Sequence, residues 1–242
     1  MERPASATAL GVAVLRAVAG DDPVALRLVD PDVVARAKAN DTVGAQRLRA
    51  HIVSRSRFAE ERLAAAVARG VRQYVILGAG FDTFAYRQPE WAAALKVIEV
   101  DHPASGRAKR ERLDVAGIAV PSNVRYAAID FATTSLADGL AGSGFSAAEP
   151  AFFSWLGVMM YLDEAAIDAV LGFVAACAAG SELVFDFAPA DAAAPRYAEE
   201  RATAMGEPFL GRFTPAALEG KLRAHGFREV AIVAPRLGRA LR

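Results

Sequence analysis

The glycine turn at Gly78 and Gly80 is the part of the sequence best suited to holding a small ligand. It follows the apolar stretch 74–77, with Ala79 between the two glycines. A buried strand that ends in such a turn is how open α/β sheets present main-chain groups to a ligand. Glycine has no Cβ, so it permits both a tight turn and a close approach to the backbone. The turn therefore predicts a ligand site at the carboxyl end of a strand.

Asp82 and Thr83 distinguish this turn from the common nucleotide-binding loops. Thr83 stands where the dinucleotide fingerprint has its third glycine, and no Gly-Lys-Ser/Thr string follows, as a P-loop requires. A phosphate prefers backbone N–H groups and positive potential, whereas the carboxylate of Asp82 would repel it. The same carboxylate suits a ligand with an ammonium group, such as the methionine end of S-adenosylmethionine. Capping of the next helix is the alternative role for Asp82, and the two roles are compatible.

Acidic residues also lie at the ends of the next two predicted strands. Asp101 follows the turn by about twenty residues, where a carboxylate can accept hydrogen bonds from the ribose of NAD or of S-adenosylmethionine. Glu99 and Asp101 are two residues apart, so their side chains point to the same face of the strand. One of the two acids can therefore bind the ribose, while the other forms an ion pair within the protein. Asp130 suits the amino group of adenine, with Phe131 packed on the base; a helix N-cap is the alternative for Asp130. Acids at three successive strand ends favour an adenosyl site.

These residues come together only if a parallel sheet places its strand ends side by side. From residue 72 onward strands alternate with helices, which is typical of a doubly wound, mostly parallel α/β sheet. The predicted strands are 72–77, 96–100, 124–129, 151–155, 182–187 and 228–234. The predicted helices are 88–95, 102–115, 136–142, 163–179 and 214–226, with a polar helical lid insert within 190–212. Residues 1–70 are expected to form an N-terminal helical cap, and 71–242 one compact ligand-binding domain.

Composition and charge exclude several classes of partner. The 242 residues carry 28 basic and 28 acidic side chains, which predicts no nucleic-acid and no membrane partner. No apolar run approaches the roughly 20 residues that span a bilayer. The single cysteine, Cys177, cannot form an internal disulfide, so a cytoplasmic protein is expected. No cluster of His, Cys and Asp has ligand spacing, so no metal site is predicted.

Four strings of the sequence follow one another in an order that resembles one enzyme family. They are VILGAGFDTFAYR at 75–87, EVDHP at 99–103, IDF at 129–131 and WLGVMMYL at 155–162. The chain is similar to the leucine carboxyl methyltransferase family of class I S-adenosylmethionine-dependent methyltransferases, especially its bacterial branch. The resemblance covers nearly the whole chain, and its most specific piece is the Leu-Gly-Ala-Gly-x-Asp-Thr string. It implies the Rossmann-like sheet of that class and S-adenosylmethionine as the cofactor.

The resemblance also assigns cofactor contacts to individual residues. Gly78, Ala79 and Gly80 would contact the methionine part of the cofactor. Asp101 would contact the ribose, and Asp130 and Phe131 would contact the adenine. Arg55, in an Arg-x-Arg string of the cap, would pair with the cofactor carboxylate. A guanidinium suits that role because its fork binds a carboxylate bidentately. Arg49 and Arg57 are the alternatives.

Two positions depart from the family pattern. Leu156 stands where members that methylate a C-terminal leucine commonly have a glutamate, which argues against a leucine carboxylate as the substrate. Only residues 235–242 follow the last predicted strand, where the class usually adds a reversed seventh strand. Three explanations are open: the seventh strand is very short, the chain is truncated, or a partner completes the sheet. A missing strand would leave an unpaired edge of the sheet.

Methyl transfer to oxygen is the predicted function. The acceptor would be the carboxylate or hydroxyl of a small, apolar compound, because Trp155, Met159 and Met160 make the acceptor side apolar; core packing explains these residues equally well. Tyr161 is the candidate acceptor-side residue. The three histidines, His51, His102 and His225, are weaker candidates for a general base. No oligomeric state is predicted.

Two other functions are compatible with the sequence. A nicotinamide-dependent reductase can be built on a similar sheet, but Asp82, Thr83 and the lack of a Tyr-x-x-x-Lys relay disfavour it. A protein that binds S-adenosylmethionine without catalysis is compatible with Leu156. Binding measurements with the competing cofactors separate these alternatives.

Overall fold

Five parallel strands form one sheet in the computed structural model, which describes residues 5–191 and 196–233. The strands are β1 (Gln73–Leu77), β2 (Lys96–Asp101), β3 (Val124–Ala128), β4 (Ala151–Trp155) and β5 (Glu182–Phe185). Their order is β3-β2-β1-β4-β5, with every neighbouring pair parallel. The direction of winding changes between β1 and β4, and open α/β sheets bind ligands at such a switch point. The predicted doubly wound parallel sheet is confirmed.

Helices flank this sheet throughout the described residues. Before the first strand come α1 (Ala7–Ala19), α2 (Pro23–Leu28), α3 (Pro31–Ala39) and α4 (Val43–Ala68). Later come α5 (Pro103–Val115), α6 (Leu136–Leu140), α7 (Glu164–Ala175), α8 (Tyr197–Ala204) and α9 (Pro215–Ala224). Several begin where the sequence predicts a cap: Asp163 accepts from the Ala166 N–H at 2.8 Å, and Thr214 accepts from the Ala217 N–H at 3.2 Å. These caps satisfy N–H groups that have no partner inside the helix.

The central strands are apolar because helices cover both faces of the sheet. All residues of β1 and β4 are buried, as expected for parallel strands between two helical layers. On one face Leu77 and Phe153 belong to a cluster that includes residues of α7 and α9. On the other face Tyr74 and Phe152 share a cluster with Leu63 of α4. The two layers hold the carboxyl ends of the strands in fixed relative positions.

The N-terminal helices pack directly against the glycine turn. Ala13 and Ala17 of α1 and Ala25 of α2 form a buried cluster with Phe81, which lies in the turn after β1. The small alanine side chains permit close approach of these helices, and α1 contacts α2, α3 and α4. The described helices of the N-terminal segment thus pack against the predicted ligand site, and α4 also contributes to the core of the sheet.

Two predicted elements differ in the structure. The predicted helix 88–95 is wrong: the described residues there have only a short 3₁₀ turn at Glu90–Ala92, after another at Phe84–Tyr86. Its N–H groups donate three residues back, as from Ala92 to the Pro89 carbonyl at 2.9 Å, and β2 begins at Lys96, so too few residues remain for a longer helix. The predicted strand 228–234 is also wrong over its described residues, since 228–233 adopt no strand. A strand needs a partner, and in the described part of the chain β5 pairs on one side with β4 and on the other with none. The expectation for 235–242 lies outside the described residues.

Candidate functional site

The turn after β1 requires glycine at two positions. Gly78 has φ 65° and Gly80 has φ 44°, in the left-handed region that disfavours side chains. A Cβ at position 78 would lie 2.3 Å from Cγ2 of Val158, and one at position 80 would lie 3.1 Å from Cβ of Ala9. The Ala79 N–H donates to the carbonyl of Val100 at 2.9 Å. The turn is therefore fixed to β2 and closely packed between α1 and the segment after β4.

Asp101 connects the end of β2 to this turn. One of its carboxylate oxygens accepts from the Gly80 N–H at 2.5 Å, and the other accepts from the His102 N–H at 2.7 Å. Burial raises the pKa of Asp101, while these two N–H groups act in the opposite direction. A carboxylate offers about four acceptor positions, so two remain for hydroxyl groups of a ligand. The geometry fits the predicted ribose contact, which stays a prediction.

Asp82 lines the same cleft but already has a cationic partner. Its Oδ2 lies 3.2 Å from Nη1 of Arg16, and its Oδ1 accepts from the Phe84 N–H at 2.8 Å. The side chain is 21% exposed, so an ammonium group can still approach it. The predicted capping role of Asp82 is observed at the 3₁₀ turn, and the predicted ammonium contact stays a prediction.

Arg16 is a buried residue that sequence reasoning missed. Its guanidinium donates to Asp22 at 2.7 Å and 3.1 Å, and to the Thr83 hydroxyl at 3.1 Å, in addition to its contact with Asp82. The pKa of Asp22 is lowered: burial opposes ionisation, but Arg16 and the hydrogen bond from Thr83 outweigh it. An arginine among the apolar residues of α1 was the available signal. This network couples the N-terminal helices to the glycine turn.

The two acids of β2 divide their roles as the strand parity suggested. Glu99 accepts from Nζ of Lys109 at 2.6 Å, and both side chains are nearly fully buried. The Tyr86 hydroxyl donates to the second carboxylate oxygen of Glu99 at 2.8 Å. Glu99 therefore makes the structural pair, which leaves Asp101 for the cleft.

Asp130 and Phe131 follow β3 and are both half-buried. Asp130 accepts from the Ala132 N–H at 3.0 Å through its side chain, so it does cap the following turn. Phe131 packs at the edge of the main core cluster. Both residues line the cleft beside Asp101, where an adenine could be enclosed; the adenine contacts stay predictions.

Arg55 reaches the cleft from α4 and pairs with Asp186. Its Nη1 donates to Oδ2 of Asp186 at 2.6 Å, and the side chain is 14% exposed. Its Nε is buried and has no hydrogen-bond partner among the described residues. The alternatives are engaged elsewhere, since Arg49 pairs with Asp41 and Arg57 pairs with Asp21. Of the three arginines, Arg55 alone has a buried donor free for a ligand.

Asp186 is a second residue that the sequence reasoning missed. It follows the end of β5, and its Oδ1 accepts from the Gly157 N–H at 2.5 Å. Burial opposes its ionisation, but Arg55, His51 and the Gly157 N–H together hold the pKa of Asp186 well below its usual range. The signal that identified Asp101 and Asp130, an acid at a strand end, also applied here.

Tyr161 lies where the loop after β4 meets the lid segment. Its ring packs edge-on against Phe209, with centroids 5.2 Å apart. Burial raises the pKa of its hydroxyl. The lid is held to α1 by Glu207, which accepts from the Ala7 N–H at 2.9 Å and from the Ser6 hydroxyl at 2.9 Å. The predicted acceptor-side residue is thus enclosed by both helical segments.

One cleft of about 2620 Å³ unites the predicted site residues. It runs over the carboxyl ends of the strands to the outer edge of β5. Every predicted site residue lines it: Arg55, Gly78, Ala79, Gly80, Asp82, Asp101, Asp130, Phe131 and Tyr161. Within 5–191 and 196–233, no three His, Cys, Asp or Glu side chains are grouped as metal ligands. No helix of the described residues is long and apolar enough to cross a membrane.

Comparison with known proteins agrees with this geometry. The model of the family described as leucine carboxyl methyltransferase matches residues 5–175. The "Putative S-adenosyl-L-methionine-dependent methyltransferase" of Bacillus subtilis is 34% identical over 182 residues, which cover 72% of this chain and 60% of the relative. A protein of the same description from Parafrankia is 35% identical over 220 residues, covering 88% of this chain and 66% of the relative. The chain therefore spans less than two thirds of the length of these relatives.

Solved structures share the fold at low sequence identity. A "putative methyltransferase" from Thermobifida fusca has a TM-score of 0.60 and 18% identity, over 96% of this chain and 89% of that one. A DUF574 family protein from Streptomyces avermitilis has a TM-score of 0.58 and 16% identity, over 88% of this chain and 81% of that one. Together with the match over residues 5–175, the sheet and its cleft show that this chain belongs to the leucine carboxyl methyltransferase family.

Proposed function

We propose that this protein uses S-adenosylmethionine to methylate a carboxylate oxygen or a hydroxyl oxygen of a small and largely apolar acceptor. The observation that carries the proposal is the convergence of Arg55, Gly78, Asp101 and Asp130 on one cleft, although α4 and three different strand ends supply them. The family match and the names of the relatives support the same cofactor. A nicotinamide-dependent reductase has no comparable support.

The residues of the cleft fit this cofactor. The orphaned, buried Nε of Arg55 matches the need of the cofactor carboxylate for a donor. Asp101 retains acceptor positions for the ribose hydroxyls, and the absence of a Cβ at Gly78 and Gly80 keeps the turn close to Val158 and Ala9. Asp82, already offset by Arg16, would receive the ammonium group. Asp130 and Phe131 would enclose the adenine.

The protein's contribution to the reaction is to position the acceptor and exclude water. The cofactor, when bound, supplies an activated methyl group, so the chain's own residues need only hold an oxygen in line with it. Such positioning can lower a barrier by about 7–11 kcal/mol. Tyr161, Phe209 and the lid segment held by Glu207 cover the side of the cleft where the acceptor would lie.

The character of these residues supports a small apolar acceptor. Met160 and Leu162 line the cleft beside Tyr161, and Leu156 stands where the leucine-methylating members have a glutamate. An acceptor other than a protein C-terminal leucine follows from this difference. The balanced charge and single cysteine support a cytoplasmic enzyme that acts on a small molecule rather than on nucleic acid or membrane.

Calorimetry with S-adenosylmethionine, S-adenosylhomocysteine and NADPH tests the proposal. We expect both adenosyl compounds to bind and NADPH not to bind. Arg55→Gln should weaken S-adenosylmethionine binding by about tenfold or more, since a charged hydrogen bond contributes about 1.5–3 kcal/mol. Arg57→Gln is the matched control, because Arg57 lies two residues away but is exposed and pairs with Asp21.

The possible results have distinct meanings. Binding of NADPH alone would overturn the proposal in favour of a reductase. Binding of S-adenosylmethionine without methyl transfer to any carboxylic or hydroxylic acceptor of a panel would favour the catalytically silent alternative. Equal losses in Arg55→Gln and Arg57→Gln would show that Arg55 has no specific role.

A further inference from the structure

His51 and Arg55 lie one turn apart on the same face of α4, and both contact Asp186. Nε2 of His51 is 3.4 Å from Oδ2 of Asp186, the oxygen that also accepts from Arg55. Residues four apart in a helix project from one face. The His51 ring lines the cleft and its side chain is 37% exposed. The ring is therefore held at one edge and open to the cleft at the other.

Asp186 fixes which ring nitrogen of His51 carries the proton. Its carboxylate is held by Arg55 and by the Gly157 N–H, and its side chain is 12% exposed. Arg55 keeps it ionised despite burial, and an ionised carboxylate only accepts hydrogen bonds. In the neutral ring, Nε2 of His51 is then the donor to this carboxylate and Nδ1 carries the lone pair. Nδ1 has no hydrogen-bond partner within the described residues. A carboxylate that holds one ring nitrogen leaves the other available as a base, here Nδ1.

The lid helix places His51 on the acceptor side of the cleft. The ring of Tyr197 in α8 packs so closely on Gly44 of α4 that a Cβ there would lie 2.6 Å from it. His51 is two turns from Gly44 and one turn from Arg55, so it lies between the lid and the cofactor end. The other charged or titratable groups from this helix, from α8 and from the loop after β4 that line the cleft are, besides Arg55, as follows: Arg47, Arg62, Tyr161, Asp163, Tyr197, Glu199 and Arg201.

We propose that the acceptor is an alcohol or phenol and that His51, oriented by Asp186, removes its proton during methyl transfer. The inference rests on the proposed function and names the acceptor class for the same cleft. The acceptor oxygen bonds to the methyl carbon as the carbon–sulfur bond breaks with its electron pair to sulfur. The hydroxyl proton passes to Nδ1 of His51, and the imidazolium then releases it to solvent.

A hydroxyl acceptor explains this arrangement, whereas a carboxylate acceptor does not require it. A carboxylate is already ionised near neutral pH, but a phenol has a pKa of about 10 and needs a base. Arg55 already donates to Asp186, and its remaining buried donor, Nε, is assigned to the cofactor carboxylate, so this arginine has no donor left for an acceptor carboxylate. A carboxylate held by Arg47 and Arg201 instead would need no base, and a carboxylic probe tests that alternative.

A matched pair of probes, a naphthol and the corresponding naphthoic acid, separates the two acceptor classes. With saturating S-adenosylmethionine, the wild type should methylate the naphthol. His51→Gln should lower kcat on the naphthol by about 10²–10⁴-fold, the usual contribution of a general base. Its affinity for S-adenosylmethionine, measured by calorimetry, should stay within about twofold of the wild type. His225→Gln is the control, because His225 caps the end of α9, is not one of the residues that line the cleft, and pairs with Asp168.

A spectroscopic measurement tests the base without turnover. In the presence of S-adenosylhomocysteine, para-nitrophenol bound to the wild type should show more phenolate absorbance than when bound to His51→Gln, because only the wild type has an imidazole in the cleft that can accept its proton. His51→Gln should bind the neutral phenol, and His225→Gln should behave as the wild type.

Each result decides between the possibilities. Methylation of the naphthoic acid with full activity in His51→Gln would overturn the inference and leave the proposed function intact. Absence of S-adenosylmethionine binding by the wild type would overturn the proposed function itself. Cofactor binding with neither naphthol turnover nor a His51-dependent phenolate signal would also overturn the inference.

Discussion

Asp186→Asn removes one charge from the buried Arg55–Asp186 pair that lines the cleft, while preserving the shape of the side chain. In the wild type Arg55 donates to Asp186 at 2.6 Å, and the two side chains are 14% and 12% exposed. The variant leaves the guanidinium buried without a counter-charge. The substitution also weakens the hydrogen bond from the Gly157 N–H, which in the wild type donates to Oδ1 of Asp186 at 2.5 Å. The substitution therefore affects the loop after β4 as well as α4.

The magnitude follows from the burial of this pair. Removing one partner of a buried ion pair costs about 3–5 kcal/mol, because an uncompensated charge stays buried. Since both side chains retain some exposure, we expect about 3 kcal/mol. For a chain of this size each kcal/mol lowers Tm by about 2–4 °C, which gives a decrease of about 6–12 °C. Asp168→Asn is the matched control: Asp168 is 41% exposed and pairs with Lys221 and His225, so its loss should cost less than about 1 kcal/mol.

Denaturant unfolding of both variants across pH measures the effect. The pKa of Asp186 is lower in the folded protein than in the unfolded chain, so its stabilisation is complete above the unfolded value near about 4. That stabilisation is lost as pH falls through the folded pKa. The difference between wild type and Asp186→Asn should thus be constant from about pH 6 to 8 and shrink in acid. Equal stability of Asp186→Asn and Asp168→Asn near neutral pH would refute the reasoning.

Three further substitutions test the turn and its supports. Asp101→Ala should weaken S-adenosylmethionine binding by at least about 1.5 kcal/mol through loss of charged hydrogen bonds; unchanged affinity in calorimetry would place the ribose elsewhere. Gly78→Ala should lower the free energy of unfolding by about 1–2 kcal/mol, because position 78 has a positive φ. The added Cβ should also clash with Val158, and Val158→Ala should relieve that second loss. A melting temperature of Gly78→Ala equal to that of the wild type would contradict this geometry. Arg16→Met leaves the buried Asp22 with only its longer ion pair to Arg87 at 3.4 Å and should cost about 3 kcal/mol in denaturant unfolding, the low end for a broken buried pair; Arg16→Lys should restore part of the loss, and equal stability of both with wild type would exclude the network.

Much of the fold was predictable because its signals are local. The apolar runs that became β1 and β4 are buried on both faces, and burial on both faces produces such runs in any parallel sheet. Caps such as Asp163 and Thr214 lie within three residues of the N–H groups they satisfy. The predicted strand 228–234 failed because pairing depends on a neighbour that local sequence does not contain.

The acidic residues that line the cleft were predictable because an acid follows the end of each of several strands. An acid at a strand end identified Asp101 and Asp130, and the same rule would have identified Asp186 after β5. Arg16 was harder to find, because its partners Asp22 and Asp82 are separated in sequence and meet only when α1 packs on the turn. His51 was only a weak candidate in the sequence, because its partner Asp186 is 135 residues away and meets it only in the folded chain.

The sequence by itself determined the parallel α/β class, the glycine turn and the acids at its strand ends, because strand burial, turn conformation and capping depend on neighbouring residues. Only the tertiary structure decided which charges meet. Arg55 pairs with Asp186 and Arg16 pairs with Asp82 because the N-terminal helices pack over the carboxyl ends of the strands. Those contacts depend on packing between distant segments, which no local pattern of the sequence contains.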